Sequence, residues 1–414
     1  MRRMTEKLTF IRATAVIIIA MGLSPFAHAA PKYKVLHRFA GTDGVGPYSG
    51  VIIGQDGNLY GTTVGGGTGH CGRYACGTVF RLTPQANGEW SESVLHSFES
   101  DGSGGADPLG GLIFDGAGNL YGTTSSGGTH FSGVVFELTP KAGKWEETVL
   151  HNFCSRENCS DGGSSTAGVI MDQAGNLYGT AHLVFELSHG SGGWKETVLH
   201  HFTARRDGGG GGSGLILDAS GDLYGTTTAG GAHGAGTVYE MRNVSGNWQE
   251  QRLHNFPAFT ADGQIPAAGP LTFDTSGNLY GTTIQGGANI CSDVGCGTVF
   301  QLTPGADGKW KETILYNFKP GADGSFPTAG VVMDKAGNLF GTTDSGGASC
   351  SCGVLYKLSP GAKGKWTYTV LHRFNNIDGA VPAGNLTLDD KGNLYGGTVL
   401  GGTTADGVIF ELTP

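Results

Sequence analysis

The heptapeptide at 57–63, GNLYGTT, stands seven times along the chain with at most one residue changed, and no other feature restricts the fold as much. Copies begin at Gly57, Gly118, Gly175, Gly221, Gly277, Gly337 and Gly392. Their aromatic residue falls at 60, 121, 178, 224, 280, 340 and 395, at spacings of 61, 57, 46, 56, 60 and 55. A unit of that length cannot bury its apolar face alone, so neighbouring units must stack.

The same grammar surrounds each copy. A short apolar run, such as GLIFD at 111–115 or GVVMD at 330–334, precedes a two-residue spacer and Gly-Asn. Asp at the start of a tight turn and Gly near its end signal a hairpin, because Gly accepts φ > 0. The run and the word are therefore two antiparallel strands, a and b. A Gly-rich loop leads to strand c: GTVFRLTP at 77–84, GVVFELTP at 133–140, LVFELS at 183–188, GTVYEM at 236–241, GTVFQLTP at 297–304, GVLYKLSP at 353–360 and GVIFELTP at 407–414. Pro closes most of these, since it donates nothing to a ladder. A turn with Gly and Trp then enters strand d: VLHSF at 94–98, VLHNF at 149–153, VLHHF at 198–202, RLHNF at 252–256, ILYNF at 314–318 and VLHRF at 370–374. No stretch carries helical periodicity.

Four short strands repeated seven times predict an all-β, seven-bladed β-propeller of four-stranded antiparallel blades. The ends agree. The last unit, from Gly384, has a, b and c but no d, while residues 35–39 (VLHRF) form a d strand with no unit of its own. Joining them completes blade seven with one N-terminal and three C-terminal strands, and closure removes the open sheet edges of a linear array.

Residues 1–29 read as a secretory signal peptide outside the fold. Arg2, Arg3, Lys7 and Arg12 precede a short apolar run at 13–23, and Ala27-His28-Ala29 is a small-x-small cleavage site. Residues 30–414 are then a single propeller domain, and removing 1–29 moves the net charge from −9 to −12. Acidity without a basic run argues against nucleic-acid binding. Gly is 76 of 414 residues, far above the usual ~7%, yet regular apolar strand words argue against disorder. No second apolar stretch approaches spanning length, and the sequence stops at IFELTP with no hydrophobic tail. A soluble monomer, secreted or periplasmic and without a membrane span, is expected. The eight Cys form four local couples, Cys71/Cys76, Cys154/Cys159, Cys291/Cys296 and Cys350/Cys352. In an exported chain such couples read as disulfides; zinc is disfavoured for want of a second pair at finger spacing. Pairing of Cys350 with Cys352 would close a strained ring.

The composite pattern DxxGNLYGTT…GG…GTVFxLTP…W…VLHxF…DG resembles the Gloeo/Verruco tandem repeat of exported bacterial "choice-of-anchor" proteins, over essentially all of residues 33–414. The resemblance implies an exported repeat protein of propeller type and carries over no catalytic residue. The chain departs from it in lacking the C-terminal anchor, which favours free secretion or a periplasmic place over surface attachment.

In a meander, a–b and c–d turns share one face, and b–c and d–a loops share the other. The second set is long, variable and carries every Cys, so it is the expected functional face. The six Trp (90, 145, 194, 248, 310 and 366) recur before strand d and predict inter-blade packing rather than sugar stacking. The strand-d histidines (37, 96, 151, 200, 254 and 372, with Tyr316 in the remaining blade) recur too often for a catalytic base and predict structural hydrogen bonding. One Asp-Gly pair precedes each strand a, at Asp43, Asp101, Asp161, Asp207, Asp262, Asp323 and Asp378. These carboxylates either steer the chain as Asx turns or form a ring at the channel mouth able to hold Ca²⁺ or sugar hydroxyls; no other cofactor or metal is implied.

Catalysis would show as asymmetry between blades. Blade three has lost its Gly-Gly b–c loop (YGTAHLVFEL at 178–187), which opens a notch beside His182. Arg156 and Glu157, then Arg205 and Arg206, flank it; His70, His130 and His233 lie in other b–c loops, with Arg73 and Tyr74 in the first. His, Tyr and Arg near a notch suit β-elimination of a uronate polysaccharide, and Glu157 with an Asp would suit glycoside hydrolysis. Solvated loop decoration is the plainer reading. No GxSxG, HExxH, P-loop or dinucleotide fingerprint is present. Two functions remain: a glycan- or protein-binding module using the loop face for a polysaccharide or cell-surface protein, or a polysaccharide lyase or glycoside hydrolase at the blade-three notch.

Overall fold

Each GNLYGTT word is held by the residues around it. In the computed structural model, which describes residues 30–414 apart from 70, 72–75, 100, 204–205, 212, 259–261 and 348, the Asp that opens the a–b turn in six of the seven units caps its own hairpin, Gly54 standing there in the first. Asp115 accepts the backbone N–H of Ala117 and Asn119, the Asn119 amide and the Tyr121 hydroxyl; Asp172, Asp274 and Asp389 repeat the pattern. The turn glycine, Gly57 in the first copy, has φ +76°, which favours a residue without Cβ. The second glycine is required for space. A Cβ at Gly61 would stand 2.7 Å from Phe80 Cζ, the strand-c aromatic that fills the blade.

The seven blades are all present. Strands a to d run Val51–Ile53, Leu59–Thr63, Thr78–Pro84, Trp90–Ser97 in blade 1 and Ile113–Phe114, Leu120–Thr123, Val134–Lys141, Lys144–Asn152 in blade 2. Blade 3 has Ile170–Met171, Leu177–Thr180, Leu183–Gly190, Gly193–His201, and blade 4 has Ile216–Leu217, Leu223–Ala229, Thr237–Val244, Asn247–Asn255. Blade 5 has Thr272–Phe273, Leu279–Gly286, Thr298–Pro304, Trp310–Asn317, and blade 6 has Val332–Met333, Leu339–Thr343, Val354–Pro360, Trp366–Arg373. In blade 7, Thr387–Leu388, Leu394–Thr398 and Val408–Thr413 are completed by Lys32–Arg38, which pairs antiparallel with Val408–Thr413. Strand a is shorter than its apolar run suggests, two residues in most blades. Blades 4 and 5 gain a fifth short strand where Gly209–Gly211 and Gly263–Pro266 pair with an extended strand b.

The core lies between blades. Strand b is buried over its first four or five residues and strand c over its first half, whereas strand d is half-exposed. Trp90, Trp194, Trp248 and Trp366 meet the strand-b Tyr395, Tyr121, Tyr178 and Tyr280 of the preceding blade edge-on, at 5.9–6.4 Å. Buried threonines bond across the seams: Thr123 Oγ1 donates to Ala167 O at 2.7 Å and Thr282 Oγ1 to Ala329 O at 2.6 Å. The N-terminal and C-terminal ends of the ring meet again near the axis, where Gly50 bridges Asn385.

All four cysteine couples are disulfides, each within one loop. Cys71–Cys76 and Cys291–Cys296 close the b–c loops of blades 1 and 5. Their second members, Cys76 and Cys296, stand just before strand c and are fully buried, so they serve as core side chains as well as cross-links. Cys154–Cys159 closes the d–a loop after blade 2; Cys159 ends a 3₁₀ turn, Glu157–Cys159, and is exposed, so that bridge lies outside the core. Cys350–Cys352 pairs as well, despite the single residue between its members. None of the eight is left as a thiol to ligate a metal. The proposed signal segment, 1–29, lies outside the described residues.

Candidate functional site

The strand-d words VLHxF hide a β-bulge. In every blade the c–d register slips by one residue at the leucine before the histidine or tyrosine, as at Leu95 between the pairs Val79–His96 and Phe80–Val94. One extra residue reverses which face the following side chains take. Glu92 and His96, four apart, therefore leave strand d on opposite sides. The Glu faces the preceding blade, and the His faces the next.

Each seam thus receives a histidine or tyrosine from one blade and a glutamate or tyrosine from the next, and all but the seam between blades 1 and 2 also receive the Asp of the intervening d–a loop. His37, His200 and His372 meet Asp43, Asp207 and Asp378 through Nε2 at 3.0, 2.9 and 3.1 Å. His96 and His254 lie nearer Glu147 and Glu312, at 3.2 and 3.4 Å. Tyr316 donates to Asp323 at 2.8 Å. Where tyrosine replaces the glutamate, the rings stack: Tyr33 on His372 at 3.8 Å and Tyr368 on Tyr316 at 4.0 Å. The Asp carboxylates also hold their loops, accepting N–H from Ala40, Ser155, Thr203 and Asn375. Asp101 is exposed and bonds Ser103. Asp262 acts electrostatically on His254. None of these seven Asp residues lines the axial cavity, so the structure does not assemble them into a ring there.

Burial sets the electrostatics of the seams. It pushes the carboxyl groups of Glu92, Glu196 and Glu312 up to about 7 and lowers His37, His151 and His254. Burial thus favours the neutral form of both the carboxyl groups and the imidazoles. Sequence reading missed the glutamates, although Glu recurs two residues after Trp in five blades.

The seam between blades 2 and 3 is the richest. His151 Nε2 lies 3.5 Å from Asp161 and 3.9 Å from Glu196, and the ligand atoms of the three lie within 4.8 Å of one another. Three donors of this kind suit a divalent cation. Here, however, Arg156 Nη2 stands 2.9 Å from Glu196 Oε2 and already supplies the positive charge.

The other notch residues are dispersed. Blade 3 joins its strands b and c through Ala181 and His182 alone, with His182 exposed at φ +62°. His130, His233 and Glu157 are exposed on other loops, and the Arg206 carbonyl accepts from the Arg252 guanidinium. His70, Arg73, Tyr74 and Arg205 lie outside the described residues. The axial cavity, about 140 Å³, takes residues from the entries of all seven blades, among them Ser49, Gly110, Gly168, Gly214, Gly269, Thr328 and Gly384. His130, His182, His233, Arg156 and Arg206 line neither this cavity, nor the groove between blades 1 and 2, nor the cleft between the loops of blades 5 and 6.

Exposed large apolar side chains are unevenly placed. Tyr48, Phe131, Ile290, Val294, Ile377 and Leu400 all stand on the b–c and d–a loops; of the described residues, only Val94 and Val244 are comparable elsewhere.

Such a molecule is a closed seven-bladed β-propeller whose recurrent polar residues join blade to blade. The chain belongs to the Gloeobacter/Verrucomicrobia repeat family, whose model matches residues 25–191, 182–305 and 249–414. No curated protein matches it. Among solved structures it is similar to PorZ of Porphyromonas gingivalis, described as an essential bacterial surface component of the type-IX secretion system. That likeness has 14% identity and a TM-score of 0.49, over 87% of this chain and 46% of the PorZ chain. The present chain thus spans under half of that structure. Four disulfides are those of an extracellular or envelope protein. No helix among the described residues is long and apolar enough to cross a membrane.

Proposed function

We propose that the protein is a binding module of the cell exterior or envelope, carried there by an export signal at 1–29, whose b–c/d–a loop face holds a protein partner. The observation that carries this reading is the gathering of exposed apolar side chains on that face. Ile290, Ile377 and Phe131 are 73, 70 and 67% exposed. Single exposed apolar residues are ordinary on a surface, but six of the eight large ones here stand on the same set of loops, where a partner would meet them. The recurrent histidines and aspartates support the same reading, since the seams already occupy them.

The test uses residues 30–414 and the combined variant Phe131→Ser, Ile290→Ser, Ile377→Ser. Cross-linking on intact cells should give the wild type a discrete partner that the variant loses while its melting temperature stays unchanged. Equal cross-linking of both proteins would refute the loop face. Release of reducing ends or unsaturated uronate from a polysaccharide panel would instead establish turnover, and with it a lyase or hydrolase.

A further inference from the structure

One strand-c position breaks the repeat on the opposite face. The residue between the aromatic and the following leucine or methionine of that strand is Glu137, Glu186, Glu240 and Glu411 in four blades, Gln301 in blade 5 and Lys357 in blade 6. Nearly all of these are engaged. Tyr121, Tyr224 and Tyr395 donate to Glu137, Glu240 and Glu411, Gln301 donates to Tyr280, and Lys357 lies over the Phe340 ring. In blade 1 the residue is Arg81. Tyr60 turns instead to Asp56, at 2.8 Å. Arg81 Nε is buried without a hydrogen-bond partner, and the guanidinium forms no ion pair among the described residues.

Arg81 lies on the floor of a groove between blades 1 and 2. An inner chamber of about 370 Å³ adds Tyr60 and Phe114, and an outer one of about 720 Å³ adds Lys141 and Lys144; Arg81, Pro140 and Trp145 line both. Volumes of this size are those of small-molecule sites. Trp145 is half-buried against the core cluster that holds Tyr60, like Trp310 forms no ring pair among the described residues, and borders both chambers of the groove. Two carboxylates line the inner chamber and stay ionised, held by hydrogen bonds within their own hairpins: Asp56 by Asn58 and Tyr60, Asp115 by Ala117, Asn119 and Tyr121, so the anion site proper is the outer chamber. No carboxylate lines the outer chamber. Lys141 pairs with Glu146 at 2.9 Å, with both side chains more than half exposed, and Lys144 has no ion pair among the described residues. In a chain of net charge −9 the outer chamber thus gathers Arg81, Lys141 and Lys144 with no lining carboxylate.

We propose that this groove binds an acidic oligosaccharide, a run of uronate residues. A planar guanidinium matches a ring carboxylate with two parallel N–H···O bonds. Trp145 offers the apolar face on which the same sugar ring rests. Lys144 and Lys141 meet the carboxylates of the following residues. The site goes beyond the loop-face reading and is independent of it.

Isothermal titration of residues 30–414 with oligogalacturonate and with oligoalginate tests this directly. Fully methyl-esterified oligogalacturonate is the neutral control, and polyphosphate is the competing polyanion. Wild type should bind at least one uronate oligomer, not the esterified one, and more weakly as salt rises. R81Q copies blade 5 and K144N copies Asn247 of blade 4, so both substitutions have precedent in the fold. R81Q should weaken binding roughly tenfold or more and K144N less, because the charge-assisted pair is the stronger contact. The loop-face variant I290S should bind as wild type, which separates this site from the partner face. Failure of both uronates to bind, equal binding of the esterified form, tighter binding of polyphosphate, or undiminished binding by a folded R81Q would each overturn the assignment.

Discussion

Replacing Glu312 by glutamine tests the titration of a buried seam that has no arginine beside its glutamate. Glu312 comes from strand d of blade 5, its side chain is 10% exposed, and its carboxyl lies 3.4 Å from His254 of blade 4. Burial, with Asp262 nearby, raises the group from 4.5 to about 7, and burial lowers His254. Between those two values the folded chain keeps a proton that the unfolded chain releases, so stability falls as pH rises through that window. At ~1.4 kcal/mol per tenfold, the gap amounts to roughly 3 kcal/mol once the window is passed, and so small an exposure needs little discount for solvent screening. Glutamine keeps a donor for His254 and cannot ionise. E312Q should therefore match the wild type near pH 5 and exceed it by about 2–3 kcal/mol near pH 8.5, read from urea unfolding followed by tryptophan fluorescence. The reasoning fails if E312Q loses the same stability at both pH values. That result would mean an ionised glutamate holding a charged histidine, where removal of one partner is destabilising throughout.

Three further expectations follow from the same geometry. Gly61→Ala should cost about 1–3 kcal/mol through its collision with Phe80, whereas Phe80→Leu combined with it should recover part of that loss in the same unfolding assay. Thr282→Val leaves the buried carbonyl of Ala329 unpaired and should cost about 1–2 kcal/mol, visible as a lower thermal midpoint. Arg156→Ala removes the one cation favouring ionised Glu196, so its destabilisation should be larger near pH 8 than near pH 5, and equal loss at both would show that Glu196 stays protonated.

The repeat is legible in one dimension because propeller blades are built from local hairpins. Gly57 and Asp115 act within a few residues of themselves, and periodicity reports such constraints directly. The match between the d strand at 32–38 and the blade that lacks one is also written in order along the chain. The functional reading is harder for a physical reason. Residues 151, 161 and 196 meet across a seam between two blades, and no spacing rule places them together. His182, His130 and His233 break the repeat visibly in sequence, yet they stand on separate exposed loops. Arg81 breaks it less visibly, at one column of strand c, and becomes meaningful only when its neighbours prove already engaged.

The linear order of residues is enough to specify the seven units, their four strands, the cysteine couples and the way the ring closes, because each depends on contacts short in sequence or on complementary ends. Which side of a blade each polar group serves is settled only in three dimensions. A single bulged leucine in strand d reverses the alternation between Glu312 and Tyr316, or Glu92 and His96, and sends the two to opposite neighbours. Alternation counted along the chain would have set each pair on one face. The backbone hydrogen bonds of strand c, formed only in the folded sheet, settle it the other way.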